Sequence, residues 1–113
     1  ATGTIGIDQT GQPPGIDWAA CSAVARAHGK SFYLASRLMP RHDRQALHAI
    51  YAWCRTADDL VDTNEPADQR RRRLHQWAEQ LDHPTHPVAR AFADVRCRYG
   101  IDAQPAYDMI AGL

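Results

Sequence analysis

The chain has 113 residues, which is enough for one small domain with a single hydrophobic core. Thirteen basic and thirteen acidic residues give a formal net charge of zero, which argues against a nucleic-acid-binding protein because such proteins normally carry a basic excess. A hydrophobic fraction of 44% is too high for a disordered chain, and no apolar run approaches the roughly 20 residues of a membrane-spanning helix.

Residues 1–15 are rich in Gly, Thr and Pro and lack a periodic apolar face, so we predict a flexible N-terminal arm. Order is expected to begin at Asp17, a good N-cap, with a helix that Gly29 terminates. A short second helix is predicted over residues 31–39, ending at Pro40.

The longest helix is predicted over residues 41–62, followed by helices over 67–81 and 88–99. A last helical pattern opens after Pro105 and is still running at Leu113, so we expect the protein to continue. No strand-like alternation occurs, and the predicted fold is therefore all-α, with residues 16–113 forming one helical portion.

Three widely spaced cysteines form no CxxC pair and lie within helical patterns: Cys21, Cys54 and Cys97. We expect small buried hydrophobes with reduced thiols, the alternative being a metal site or disulfide. No secretory signal is recognisable, and a cytoplasmic location is expected.

The helix over residues 41–62 has an unusually wide apolar arc, covering about 160° to 200° of a helical wheel. This arc includes Leu47, Cys54 and Val61 at one edge, and it predicts a helix that is largely buried. The opposite side is expected to face solvent or an internal cavity. It carries Tyr51, Arg55, Asp58, Asp62 and, further round, Asp59, His48 and Arg44.

Asp58 and Asp62 are four residues apart and are therefore neighbours on one helix face, with Asp59 between them in sequence. Their mutual repulsion costs roughly a few tenths of a kcal/mol, and a bound cation would remove this cost. Oxygen ligands suit Mg²⁺, and Arg55 one turn earlier suits a phosphate group. The pattern fits a metal-bridged diphosphate site or, alternatively, a solvated acidic helix end that Arg55 screens.

The run from Ser31 to Asp62 resembles the opening of the squalene/phytoene synthase family, the head-to-head prenyl-diphosphate synthases. The resemblance implies the isoprenoid-synthase helical fold, of which this chain would form the N-terminal part. The matching pieces are Ser31-Phe32 after His28-Gly29-Lys30, Leu38-x-Pro40 followed by Arg44, and AIYAWCRTADDLVD with the family's first DxxxD motif.

The reaction implied by this resemblance joins two prenyl diphosphates head to head, with Mg²⁺ as the cofactor and release of diphosphate. Two molecules of geranylgeranyl diphosphate would give phytoene. The alternative substrate is farnesyl diphosphate, with squalene, dehydrosqualene or presqualene diphosphate as the product.

The resemblance also assigns roles to individual residues. Asp58 and Asp62 would hold Mg²⁺ with help from Asp59, and together with Tyr51 they would be the catalytic residues. The remaining assignments are diphosphate binding by Arg55 and Ser31, orientation of the diphosphate by Tyr51, and lining of the prenyl channel by Phe32.

The family's second aspartate-rich motif has no counterpart here, since the later aspartates stand alone at residues 82, 94, 102 and 108. We therefore expect the chain alone to be inactive and to represent the N-terminal portion of a longer synthase. The alternative from another functional class is a non-catalytic helical module for binding or assembly. A half-fold would expose an apolar face, through which we expect self-association.

Four consecutive arginines at residues 70–73 form a basic run. On a helix these side chains point in different directions, so we interpret them as a solvated helix face. The alternative is contact with RNA or with anionic lipid, the latter of which would place the protein at the periphery of a membrane.

Overall fold

The computed structural model describes residues 16–113, so the arm predicted over residues 1–15 lies outside the described residues. Within that range the chain forms six α-helices and no β-strand, which confirms the predicted all-α fold. The helices are α1 (Trp18–His28), α2 (Lys30–Ser36), α3 (Arg41–Val61), α4 (Ala67–Glu79), α5 (Pro87–Tyr99) and α6 (Gln104–Ala111).

Local capping signals set several helix boundaries. The Asp17 carboxylate accepts a hydrogen bond from the Ala20 N–H at 2.9 Å and so starts α1 where predicted. At α5, the His86 Nδ1 accepts from the Val88 N–H at 3.1 Å, and Gly100 ends the helix in the left-handed conformation with φ +66°. Glycine suits this position because it has no Cβ to clash there.

Three predicted helix ends are wrong. Helix α2 ends at Ser36 instead of Met39, because the Arg37, Leu38 and Met39 N–H groups each donate three residues back in a tight turn. Helix α4 likewise ends at Glu79 instead of Leu81. Helix α6 ends at Ala111 and does not continue to Leu113.

Helix α3 is the centre of the fold and packs against α1, α2, α4 and α5. Its Trp53 is 1% exposed and stacks on the rings of Trp77 and Phe92, with centroids 4.4 Å and 5.0 Å away. Aromatic stacking adds to the free energy gained by burial. This aromatic cluster therefore joins α3 to both α4 and α5.

The buried arc of α3 differs from the one predicted on the wheel. Leu47, Cys54 and Val61 are only half-buried, whereas His48 is 3% exposed and Ala52 is fully buried. The arc is rotated because α1 and α2 pack over the His48 side of the helix. Leu47 instead lines an open apolar groove of about 340 Å³ between α3 and α5.

The three cysteines have different environments and are all free thiols. Burial, with a smaller contribution from the Asp17 charge, raises the pKa of the Cys21 thiol to about 12. Burial, followed by the Asp58 charge, also raises the pKa of the half-buried Cys54. The expectation of burial is wrong for Cys97, which lies exposed near the end of α5.

No helix among residues 16–113 has the length and apolar composition needed to cross a bilayer.

Candidate diphosphate and metal site

The C-terminal half of α3 carries the candidate site. Tyr51, Arg55 and Asp58 follow one another along one side of this helix, and Asp62 is the residue that caps its end. The Asp62 N–H donates to the Asp58 carbonyl oxygen at 3.2 Å, which continues the helical path to the second aspartate. The two exposed aspartates are thus held on adjacent turns, as their spacing predicts.

Arg55 pairs with Asp59. The Arg55 Nε lies 3.1 Å from the Asp59 Oδ1, with the side chains 35% and 52% exposed. The Nε atom is buried but makes no hydrogen bond within residues 16–113, so the contact is an ion pair without hydrogen-bond geometry. Since a half-exposed pair contributes little to stability, Arg55 is available to exchange this partner for a ligand anion.

The other two aspartates have no such partner. Neither Asp58 nor Asp62 forms an ion pair with another described residue, and both lie at the negative end of the α3 dipole. Arg55 therefore screens the charge of Asp59, whereas Asp58 and Asp62 repel each other and interact unfavourably with the helix dipole.

The carboxylates at this end do not make a complete metal cage. Among residues 16–113, no group of three or more His, Cys, Asp or Glu side chains is arranged to hold a metal ion. Asp58 and Asp62 form a two-carboxylate set, which suits Mg²⁺ because this ion commonly takes one or two carboxylates with phosphate oxygens and water. The donors fit an ion shared with a phosphate ligand.

Aromatic side chains from α2 and α3 meet one turn before Arg55. The Phe32 ring stacks on the half-buried Tyr51 ring, with centroids 5.2 Å apart and an interplanar angle of 26°. A Cβ at Gly29 would lie 2.8 Å from Tyr51 Cε2 and Cζ, so only glycine leaves room for this ring position. Ser31 is exposed on α2, next to Phe32 in sequence.

A buried hydrogen-bond network on the neighbouring side of α3 is absent from the sequence-based predictions. The Ser22 hydroxyl lies 2.8 Å from His48 Nδ1, and the Ser36 hydroxyl lies 2.8 Å from His48 Nε2. The imidazole also stacks on the Tyr33 ring at 5.2 Å. Burial, with a smaller effect of the nearby Arg44 charge, lowers the pKa of His48. This network fixes α1 and α2 against α3.

The hydrogen bonds of this network establish the imidazole tautomer. The Ser36 hydroxyl donates to the Tyr33 carbonyl oxygen at 2.7 Å, so toward His48 it accepts from Nε2–H. Nδ1 of the neutral ring therefore accepts from the Ser22 hydroxyl.

Each of the later aspartates has its own local partner among the described residues. Asp82 accepts from the Tyr107 hydroxyl, Asp94 pairs with Arg98, Asp102 accepts from the Gln104 N–H, and Asp108 accepts from the Gln104 amide.

The arginine run on α4 is mostly exposed. Arg73 lies 2.9 Å from Glu65, and Arg70 donates to the Thr63 carbonyl oxygen at 3.5 Å. These contacts fit the predicted solvated helix face.

Comparison with known proteins now identifies the family. Residues 25–113 match the family described as Squalene/phytoene synthase. The chain belongs to this family. The resemblance seen between Ser31 and Asp62 is thereby confirmed, and the all-α structure is consistent with the isoprenoid-synthase fold.

Several family members with curated names are similar to this chain. A "Phytoene synthase" of Arthrospira platensis is 42% identical over 97 residues, covering 81% of this chain and 31% of the relative. A "15-cis-phytoene synthase" of Synechococcus elongatus is 38% identical over 97 residues, with coverages of 81% and 32%. "Phytoene synthase 3, chloroplastic" of Zea mays is 37% identical over 98 residues, with coverages of 82% and 23%.

The chain thus spans about a third or less of the length of these relatives. No solved structure matches it.

Proposed function

We propose that the protein catalyses head-to-head condensation of two molecules of geranylgeranyl diphosphate to phytoene, with release of diphosphate. The observation that carries this proposal is the 42% identity to a relative named phytoene synthase over a region that includes the aspartate-bearing helix. Two exposed carboxylates without ion-pair partners, next to an arginine, support it chemically.

Magnesium is part of the proposal. Asp58 and Asp62 would hold it together with oxygen atoms of the substrate diphosphate. The bound ion would supply positive charge that neutralises the departing diphosphate. Asp59 assists by pairing with Arg55 and so directing the guanidinium along this side of the helix.

The chain's own side chains bind and orient the diphosphate. Arg55 offers several N–H donors to phosphate oxygens, and charge-assisted hydrogen bonds of this type are shorter and stronger than neutral ones. The Ser31 hydroxyl is exposed and free to donate to the same group. Tyr51 would donate its phenolic hydrogen, with its ring held in place by Phe32.

The apolar surroundings have a separate role. Ionisation of a prenyl diphosphate produces a carbocation that water would destroy, so the prenyl chain needs a dry wall. Phe32 and the half-buried residues of α3 offer such a wall, and aromatic faces attract cations. Phe32 is accordingly assigned to the prenyl channel.

The test is an assay of purified protein containing this chain with geranylgeranyl diphosphate and Mg²⁺, measuring phytoene and released diphosphate. We expect Asp58→Asn and Asp62→Asn each to lower the rate by about a hundredfold, a loss typical of removing one group that stabilises developing charge. Asp68→Asn is the matched control, because this aspartate is exposed on the first turn of α4 and has no assigned role.

Two results would replace the proposal. Product from farnesyl diphosphate alone would assign the protein to the squalene-type reactions. Folded protein that binds a non-hydrolysable prenyl diphosphate with Mg²⁺ but releases no diphosphate would indicate a binding module.

A further inference from the structure

A polar cavity opens where α1, α2 and α3 meet. This cationic pocket has a volume of about 720 Å³ and is lined by basic side chains from all three helices. They are Arg26 on α1, Lys30 and Arg37 at the two ends of α2, and Arg44 on α3. None of the residues assigned above to substrate or magnesium lines it.

The positive charge of the cationic pocket is uncompensated. No carboxylate lines the pocket, and none of its four cationic side chains forms an ion pair or a hydrogen bond within residues 16–113. Elsewhere in this part of the chain, Arg55 and Arg73 pair with acids and Arg96 donates to backbone carbonyls. Although other described arginines, such as Arg71 and Arg72, also lack an ion pair, the cationic pocket brings four unpaired cationic side chains together.

Ser22 and His48 also line the cationic pocket. Burial and, to a smaller extent, the Arg44 charge lower the pKa of His48 and so favour the neutral imidazole, in which Nδ1 accepts from Ser22 while Nε2–H donates to Ser36. His48 therefore adds no fifth positive charge to the cationic pocket. The groups around this imidazole are the Ser22 and Ser36 hydroxyls and the Tyr33 ring, and Arg44 is the charged residue that acts on it.

A bound anion would change the protonation equilibrium of His48. It would favour a protonated imidazole, whose Nδ1–H would then donate to the Ser22 oxygen. The Ser22 hydroxyl hydrogen would become free to donate into the cationic pocket, so anion binding and protonation of His48 are coupled.

We propose that the cationic pocket is an anion site for a phosphate-bearing ligand with at least two negative charges. The arginine side chains match phosphate oxygens in geometry and charge. Leu34 lines the same pocket and is 61% exposed, which suits a ligand with an apolar portion. The ligand is either a soluble phosphate or diphosphate compound or the headgroup of an anionic lipid, and this inference does not depend on the proposed activity.

Titration calorimetry with inorganic diphosphate tests the site. Buffer stripped of divalent cations disfavours binding beside Asp58 and Asp62, since these carboxylates repel an anion when no cation is present, and any diphosphate that Arg55 still binds is unaffected by substitutions in the cationic pocket. We expect Arg26→Gln/Arg37→Gln to weaken binding by about tenfold, the combined effect of two exposed charge pairs. The matched control is Arg71→Gln/Arg72→Gln on α4, also two exposed arginines, which is expected to bind like the parent protein.

Vesicle sedimentation separates the two ligand sources. Binding to phosphatidylcholine vesicles that contain phosphatidic acid, lost in Arg26→Gln/Arg37→Gln, would assign the site to a lipid headgroup. Binding of inorganic diphosphate without vesicle binding would assign it to a soluble compound. The inference is overturned if neither probe binds, or if the pocket variant and the α4 control bind equally while both retain the parent's thermal unfolding midpoint.

Discussion

The charge of Asp58 should reduce stability in the absence of a ligand. This residue is exposed on the last turn of α3, with Asp62 one turn further on. Replacing it with Asn removes a like-charge i,i+4 repulsion of about 0.2–0.5 kcal/mol. It also removes an unfavourable interaction with the helix dipole of about 0.3–1 kcal/mol. We therefore expect Asp58→Asn to raise the free energy of unfolding by about 1 kcal/mol.

Asp59→Asn is the matched control at the same helix end. It also removes a negative charge from the negative end of the dipole, but it breaks the ion pair with Arg55 at 3.1 Å. The two effects oppose each other and are of similar size, so the net change should lie within about 0.5 kcal/mol. The comparison separates the effect of an unpaired carboxylate from that of any charge at this helix end.

Thermal unfolding followed by circular dichroism, without Mg²⁺ and at low ionic strength, measures both variants. A gain of about 1 kcal/mol corresponds to a midpoint about 4–8 °C higher for a domain of this size. Sodium chloride should shrink the gain because it screens exposed charges. A less stable Asp58→Asn protein, or equal stabilisation by Asp59→Asn, would refute the electrostatic reasoning.

Three further predictions concern the core, pH and thiol reactivity. Trp53→Ala should lower the free energy of unfolding by about 3–5 kcal/mol, because it removes a buried ring from between two stacked partners. Urea unfolding measures this loss, and a decrease of less than about 1 kcal/mol would contradict the prediction. The folded pKa of His48 lies below the ordinary value of 6.5, so the unfolded chain binds more protons and stability should fall as pH drops below 6.5. His48→Gln should flatten this part of the pH profile of unfolding, and equal profiles for the parent and His48→Gln would refute the assignment. A thiol reagent at neutral pH should modify exposed Cys97 first and Cys21 only on unfolding, as peptide mass mapping over time would show; early labelling of Cys21 would contradict its burial.

Short-range features of the fold were predictable from sequence. Asp17 and Gly100 cap their helices through contacts with backbone groups close by in sequence. Their capping roles can therefore be predicted from the sequence without knowledge of the tertiary packing. The end of α2 was less predictable, because the turn after Ser36 leaves Leu38 90% exposed, against its hydrophobic character. A helical wheel does not include the free-energy cost of exposing an apolar side chain such as Leu38.

The candidate site was predictable only in part. Spacing placed Asp58 and Asp62 on one face, but it could not decide which aspartate Arg55 would pair with. The burial of His48 depends on serines 26 and 12 residues earlier in the chain, which no local pattern connects. The cationic pocket is likewise assembled from three helices, so its charge is dispersed in the sequence and concentrated only in the fold.

The last turn of α3 has a consequence for local opening. Ala57 is the final fully buried residue of this helix, and the residues after it are half-buried or exposed. Few buried apolar contacts mean a low free energy of local unfolding, so the amide hydrogens of residues 58–62 should exchange with solvent sooner than those near Trp53. A ligand shared between Asp58 and Asp62 would stabilise this turn against opening, and protection of these amides from exchange would report its binding directly.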